Sequence, residues 1–131
     1  MAGVILVDTS VWVAYFCDVA PTAHTLETLL SERRVVTCPP VLAELAIGLP
    51  ADRHDAVIQP LAELPSVGLP QSAWLEAAAA GRDLRARGLA VPLIDLLVAT
   101  AAVRSGAELW TLDADFQRVS EVMPRLRLVS S

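Results

Sequence analysis

Val4-Ile5-Leu6-Val7-Asp8-Thr9-Ser10-Val11-Trp12 decides the fold. The run from Val4 to Val7 is apolar without alternation, as in a strand covered on both faces of its sheet. One acid ends it. From there Val11, Trp12, Ala14 and Tyr15 fall at helical spacing. Strand, carboxylate, helix is the opening of an α/β chain. It puts Asp8 at the carboxyl end of a strand, where open parallel sheets bind their ligands.

Outward from this stretch the same alternation repeats. A helix is predicted from about Ala23 to Glu32, and Val35-Val36-Thr37 reads as a second strand, closed by Pro39-Pro40. From Val41 the spacing of Leu42, Leu45, Ala46 and Leu49 is helical up to Pro50, and another helix runs from Ala51 to about Glu63. Pro65 to Pro70 encloses a brief third strand around Val67 and Leu69. Gln71 to Arg87 is an Ala-rich helix stopped by Gly88, and Leu93 to Arg104 is a helix closed by Gly106. Glu108 to Leu112 is the fourth strand, Asp113 opens a short helix, and Leu126 to Val129 is the last strand. Strands and helices in alternation predict a mostly parallel sheet with helices on both faces.

The 131 residues suit one domain, and the 54% hydrophobic content with few aromatics makes its core one of Ala, Val and Leu. No apolar stretch reaches the roughly 18 residues that cross a bilayer. The start lacks the basic segment of a signal peptide, so a cytoplasmic protein is expected. Cys17 and Cys38 have no metal-like spacing and read as free, buried thiols. Trp74 and Trp110 read as packing residues. Trp12, Tyr15 and Phe16 suit either the core or a partner groove, and helical spacing favours the core. His24 and His54 read as surface residues. A net charge of −5 is unusual for a nucleic-acid binder. Either the substrate is not a nucleic acid, or the acids are gathered in a site that works through bound cations.

The acids are placed for the second reading. Asp8 and Asp113 each follow a strand directly, Asp115 comes two residues later, and Asp95 lies in the first turn of the helix after Pro92. Singly, Asp8, Asp95 and Asp113 stand where N-caps stand, and Asp115 would be an ordinary surface acid. Glu44 differs. Val41, Leu42, Leu45, Ala46 and Ile47 surround it with no basic residue within a turn, and an ionised carboxylate in apolar surroundings needs a partner. Together the acids would repel one another at one sheet edge unless a cation neutralised them. Hard oxygen ligands favour Mg²⁺ or Mn²⁺ over zinc. Such an ion lowers the pKa of bound water and stabilises phosphoryl charge.

The motifs Val7-Asp8-Thr9-Ser10, Leu42-Ala43-Glu44-Leu45, Ile94-Asp95-Leu96-Leu97-Val98-Ala99 and Thr111-Leu112-Asp113-Ala114-Asp115-Phe116 resemble those of PIN-domain ribonucleases. Within that family the likeness is to the VapC toxins of bacterial toxin–antitoxin pairs. It covers essentially the whole chain, in order. The resemblance implies a single PIN domain over residues 1–131, a three-layer α/β/α sandwich with a mostly parallel five-stranded sheet in the order 3-2-1-4-5. It implies Asp8, Glu44, Asp95 and Asp113 as the catalytic acids, with Asp8, Asp95, Asp113 and Asp115 toward the metal. Ser10 and Thr111 would orient the carboxylates or a metal-bound water. RNA would be hydrolysed to a 5′-phosphate and a 3′-hydroxyl by water attacking in line. A homodimer is implied, and so is a VapB-type antitoxin whose C-terminal segment lies along a groove of the toxin. Arg85 and Arg118 are the candidate RNA contacts, although Arg85 and Arg87 also suit the negative end of their helix.

Other classes fall on single residues. A receiver domain needs a Lys to read its phosphorylated Asp, and all ten basic residues here are Arg. A haloacid-dehalogenase-type phosphatase needs a second Asp where Ser10 stands. A dinucleotide binder needs a Gly-rich turn after the first strand, and Asp8-Thr9-Ser10-Val11-Trp12 has none. The rival that survives is a PIN-like domain that binds RNA or a protein without cutting, and loss of one acid would have marked it.

Overall fold

A computed structural model describes residues 3–130. Three strands form a parallel sheet, β1 (Ile5–Val7), β2 (Val35–Val36) and β3 (Glu108–Trp110), in the order β2-β1-β3. Ile5 and Leu6 pair with Val35 and Val36 on one side, and Ile5, Leu6 and Val7 pair with Glu108, Leu109 and Trp110 on the other. All three residues of β1 are buried, as its unalternating apolar run requires. The chain leaves β1 toward β2 on one side and later returns as β3 on the other. The order therefore reverses at β1, and its carboxyl end carries Asp8.

The five-stranded sheet is corrected to three strands. The segments expected as outer strands reach the sheet through single parallel bridges, Thr37 with Ser66 and Leu109 with Leu128. Around the first, Val67 N–H donates to Thr37 O and Thr37 N–H to Pro65 O. Pro65 and Pro70 bracket that segment, and proline has no N–H to extend a ladder. At the other edge Leu109 N–H donates to Arg127 O and Val129 N–H to Leu109 O, and no second bridge follows among the described residues. The spatial order of these five segments is the expected one; two are too briefly paired to be strands.

The helices are α1 (Thr9–Phe16), α2 (Thr22–Ser31), α3 (Pro39–Gly48), α4 (His54–Ala62), α5 (Gln71–Ala86), α6 (Leu93–Ser105) and α7 (Asp115–Val122). A 3₁₀ turn, Ala51–Arg53, precedes α4. The third helix begins two residues earlier than its periodicity suggested, because Pro39 and Pro40 occupy first-turn positions where no N–H is needed. The sixth ends at Gly106, whose φ of 73° is the left-handed conformation a C-terminal glycine supplies.

Helix α6 is the central element. Leu96 to Ala102 are all buried in succession, so the helix is enclosed rather than amphipathic. Thr100 avoids an unmet polar group there by donating from Oγ1 to Leu96 O at 2.8 Å. The other helices pack as pairs, α1 on α2 and α3, and α5 on α6 and α7. Two aromatic expectations change. Trp74 is 47% exposed, its indole N–H tied to Leu69 O at 3.1 Å, and Phe16 is exposed beside the buried Trp12. Cys38 is buried as expected, whereas Cys17, at the end of α1, is exposed.

Candidate metal centre

Asp8 is 4% exposed and does not cap its helix: its carboxylate accepts no backbone N–H from the first turn of α1. Its Oδ2 instead accepts two hydroxyl protons, from Ser10 Oγ at 2.9 Å and from Thr111 Oγ1 at 2.8 Å. With both protons spent on Asp8, the 3.3 Å approach of the two hydroxyls to each other is a contact rather than a third bond. The same oxygens work as acceptors on their other side. Ser10 Oγ receives the Leu112 N–H at 2.9 Å, and Thr111 Oγ1 receives the Asp113 N–H at 3.0 Å. Asp8 is thereby wired to the loop after β3, and Asp8 N–H donates to Trp110 O at 2.9 Å beneath it.

That loop delivers the next two acids. Asp113 is exposed, and its Oδ1 accepts the Asp115 N–H at 2.9 Å at the start of α7. Part of the capping role considered for Asp113 is thus real, performed by one oxygen. Asp95 arrives from the first turn of α6, where no side-chain cap bond forms. Asp95, Asp113 and Asp115 each offer a carboxylate oxygen, and these oxygens lie within 4.8 Å of one another. Asp8 and Glu44 lie outside that close group.

Glu44 is half-buried on α3, and its Oε1 accepts the Thr9 hydroxyl at 2.8 Å. The surroundings are less apolar than the sequence suggested, since Ile47, one turn on, is 85% exposed. Thr9 is a residue the sequence reading passed over. Its place between Asp8 and Ser10 was the available signal, as α1 starts there and presents its first hydroxyls toward the acids.

The electrostatics bind all five acids together. Asp95's carboxyl is pushed up to about 7, first by burial, then by the charges of Asp8, Asp113, Glu44 and Asp115. Cys38, at the start of α3, has its thiol raised to about 11. Burial is the main cause there; a backbone hydrogen bond at Val41 opposes it, and the charges of Asp8 and Glu44 add to it. A half-buried carboxyl ringed by four others keeps its proton more readily, and a bound cation would offset that ring. Oxygen-only donors from three carboxylates fit a hard divalent ion completed by water, and among the described residues this close group includes no Cys or His.

The candidate RNA contacts lie outside this cluster. Arg85 is exposed on α5, lining a cleft against α6, and Arg118 is exposed on α7, one turn beyond Asp115.

A parallel sheet that reverses its order at β1 and collects acids at the carboxyl ends of its strands defines an α/β protein with an acidic, metal-type site. Residues 5–122 match the PIN domain. Ribonuclease VapC11 of Mycobacterium tuberculosis is 35% identical over 124 residues, spanning 90% of this chain and 92% of the relative. The chain belongs to the PIN domain family, and within it to the VapC ribonucleases. The fold is that of VapBC2 from Rickettsia felis, solved bound to a DNA fragment from its promoter, with a TM-score of 0.76 at 21% identity over 96% of this chain and 97% of that one. VapBC-5 of Mycobacterium tuberculosis, a member of the VapBC family of toxin-antitoxin systems, matches with a TM-score of 0.70 at 21% identity, covering 98% and 99% of the two chains.

Proposed function

We propose that this chain is the toxin of a toxin–antitoxin pair, an endoribonuclease that hydrolyses RNA phosphodiester bonds with Mg²⁺ or Mn²⁺ at its acidic site. The observation that carries the reading is the convergence of Asp95, Asp113 and Asp115 beside a buried, doubly hydrogen-bonded Asp8. Asp95, Asp113 and Asp115 would hold the ion. When bound, it would supply Lewis-acid stabilisation of phosphoryl charge and lower the pKa of water at the site.

The chain's own residues supply placement. Ser10 and Thr111 fix Asp8 through its Oδ2, so its other oxygen faces the remaining work with little freedom. Asp8 thus acts as a catalytic carboxylate at the reversal of the sheet. Glu44, oriented by Thr9, faces the same cluster from α3 and is suited to hold water or take a proton from it. In-line attack by water leaves a 5′-phosphate and a 3′-hydroxyl.

A VapB-type antitoxin is the partner, with a cytoplasmic setting and a homodimer as the assembly. Among the described residues no helix is long and apolar enough to cross a membrane. A groove of about 370 Å³ between α1 and α4, lined by Trp12, Tyr15, Phe16, Val57 and Leu61, offers an apolar bed for the antitoxin segment.

The test is cleavage of a mixed cellular RNA pool by antitoxin-free protein, with Mg²⁺ or Mn²⁺ and with EDTA, beside Asp8→Asn. Cutting at discrete sites that needs metal and vanishes in the variant is expected. A folded, metal-supplied protein that leaves every RNA intact would overturn the enzyme reading and favour a binding-only domain.

A further inference from the structure

The cleft between α5 and α6 has a volume of about 360 Å³, within the range of small-ligand pockets. Gly81, Leu89, Leu93 and Leu96 form much of its apolar lining, and Arg82 and Arg85 bring the only charges to it. Spaced three apart on α5, these two arginines share a helix face. Neither makes an ion pair among the described residues, whereas Arg34, Arg87 and Arg104 each hold an acid. Even Asp83, between them in sequence, pairs with neither. In a chain of net charge −5, two free guanidiniums over one apolar cleft are placed for an anion. The dipole of α5 accounts for Arg85 near the helix end but not for Arg82, a turn earlier, nor for the cleft.

The cleft and the acids also share one end of α6. A Cβ on Gly81 would stand 3.0 Å from Leu96 Cδ1, so glycine lets α5 close onto the start of α6. Leu93 and Leu96 line the cleft, and Asp95 lies between them in sequence. At 1.5 Å of rise per residue, Asp95 is no more than about 3 Å along the helix axis from either. Around the helix Asp95 stands about 100° from Leu96 and about 200° from Leu93 at 3.6 residues per turn, so cleft and acids occupy different faces of the same end of α6, and a strand passing from one to the other crosses that end.

We infer that this cleft seats the single-stranded RNA next to the scissile phosphate, with Arg82 and Arg85 on its backbone and the apolar lining against base or ribose. The inference rests on the ribonuclease reading. Arginine matches phosphate with a planar, bidentate fork, and an apolar bed with flanking cations is how single strands are held without sequence preference. The lining has no Asn, Gln, Ser or Thr side chain to read a base edge. The cleft gives affinity and register, and selection among sequences comes from elsewhere.

The test measures binding of a fluorescent, random-sequence single-stranded RNA in Mg²⁺, in the cleavage-deficient Asp8→Asn background, across a salt series. The double change Arg82→Ala/Arg85→Ala is expected to weaken binding at least about tenfold. It should also flatten the dependence of log K on log salt by about 0.7 for each phosphate no longer neutralised. Lysines at both positions should restore the salt slope but only part of the affinity. With Asp8 intact, the double alanine change should raise KM and spare kcat, while Arg125→Ala, away from the cleft, changes neither. Both arginines are exposed, so thermal unfolding should be unaltered. Unchanged affinity and slope would overturn the inference while metal-dependent cutting kept the ribonuclease reading alive. Weaker antitoxin binding with RNA binding intact would assign the cleft to the antitoxin and overturn it as well. A parent protein that neither binds nor cuts RNA would remove both readings together.

Discussion

At the scale of single residues, the candidate site is a set of carboxylates whose positions were legible, as were two hydroxyls that orient one of them, Ser10 and Thr111, while Thr9 was not. Strand ends and motif order pointed to Asp8, Glu44, Asp95, Asp113 and Asp115, because a parallel sheet presents ligands at its carboxyl edge, and Asp95, Asp113 and Asp115 come within 4.8 Å of one another. The bonds of Ser10 and Thr111 to one oxygen of Asp8 span 103 positions in the longer case; no local pattern encodes such a pairing, and only the likeness of whole motifs pointed to it. Asp8→Asn should abolish cleavage and leave the metal-free protein as stable as before or more so, since it removes one of several repelling charges and no cap bond. A loss of about 1 kcal/mol in denaturant unfolding with activity intact would return Asp8 to a capping role. Thr111→Val should lower metal affinity or cleavage by about 10- to 100-fold, the usual cost of removing a group that orients a ligand; isothermal titration and initial rates would measure it. Asp95 carries the pH dependence. Its carboxyl sits at about 7 in the folded, metal-free protein against an ordinary 3.8. Between these values the folded state keeps a proton that the unfolded chain has released, so stability falls as pH rises through that window. Melting in EDTA should therefore show a lower Tm at about pH 8 than at about pH 5, and Asp95→Asn should flatten the trend. Because the ion displaces that proton, metal affinity should rise over the same window.

At the scale of elements, helix positions were legible to within a residue or two, except that Ala51–Arg53, expected as the start of a helix, form a 3₁₀ turn before α4, since 3.6-residue spacing, prolines and terminal glycines mark helices locally. The strands were less so. The segment around Val67 and Leu69 and that from Leu126 to Val129 both read as strands, yet a strand's length is fixed by the partner it meets. Beyond Thr37 and Leu109 the pairing is one bridge deep. Trp74 misled for a related reason: an indole has a polar N–H as well as an apolar body, and the Leu69 carbonyl holds it at the surface. Helix α6 is enclosed by neighbours and presents Asp95 from its first turn. Leu97 is fully buried in it. Leu97→Ala should cost about 2–5 kcal/mol by cavity formation, seen as a lower midpoint in urea. Cleavage should fall at temperatures where the fold still survives, because the carboxylate ring tolerates little drift of its half-buried member. Full activity alongside that loss of stability would show that Asp95 is held by the loop after β3 rather than by its own helix.

At the scale of the whole molecule, an acidic protein must hold a polyanion, and the charge map determines the sign of its salt dependence. The acids meet at the carboxyl edge of the sheet, and the free arginines Arg82, Arg85 and Arg118 lie on α5 and α7, outside the carboxylate group. Without a divalent ion, RNA approaching the centre meets uncompensated carboxylates. Its affinity is then limited by repulsion, which added salt screens. With the ion in place the local sign reverses, and the arginine–phosphate contacts dominate; these weaken as salt rises because counterions are no longer released at a gain. Binding of single-stranded RNA to the Asp8→Asn protein should thus be weak in EDTA and flat or rising with KCl, and stronger in Mg²⁺ with a falling dependence on KCl. An ordinary basic binder falls with salt in both buffers. The same falling slope with and without metal would mean that the arginines alone hold the RNA and that the acids serve only the chemistry. A change of sign would mean that one cluster of carboxylates governs both capture and cleavage, so that occupancy by metal is the condition for engaging substrate at all.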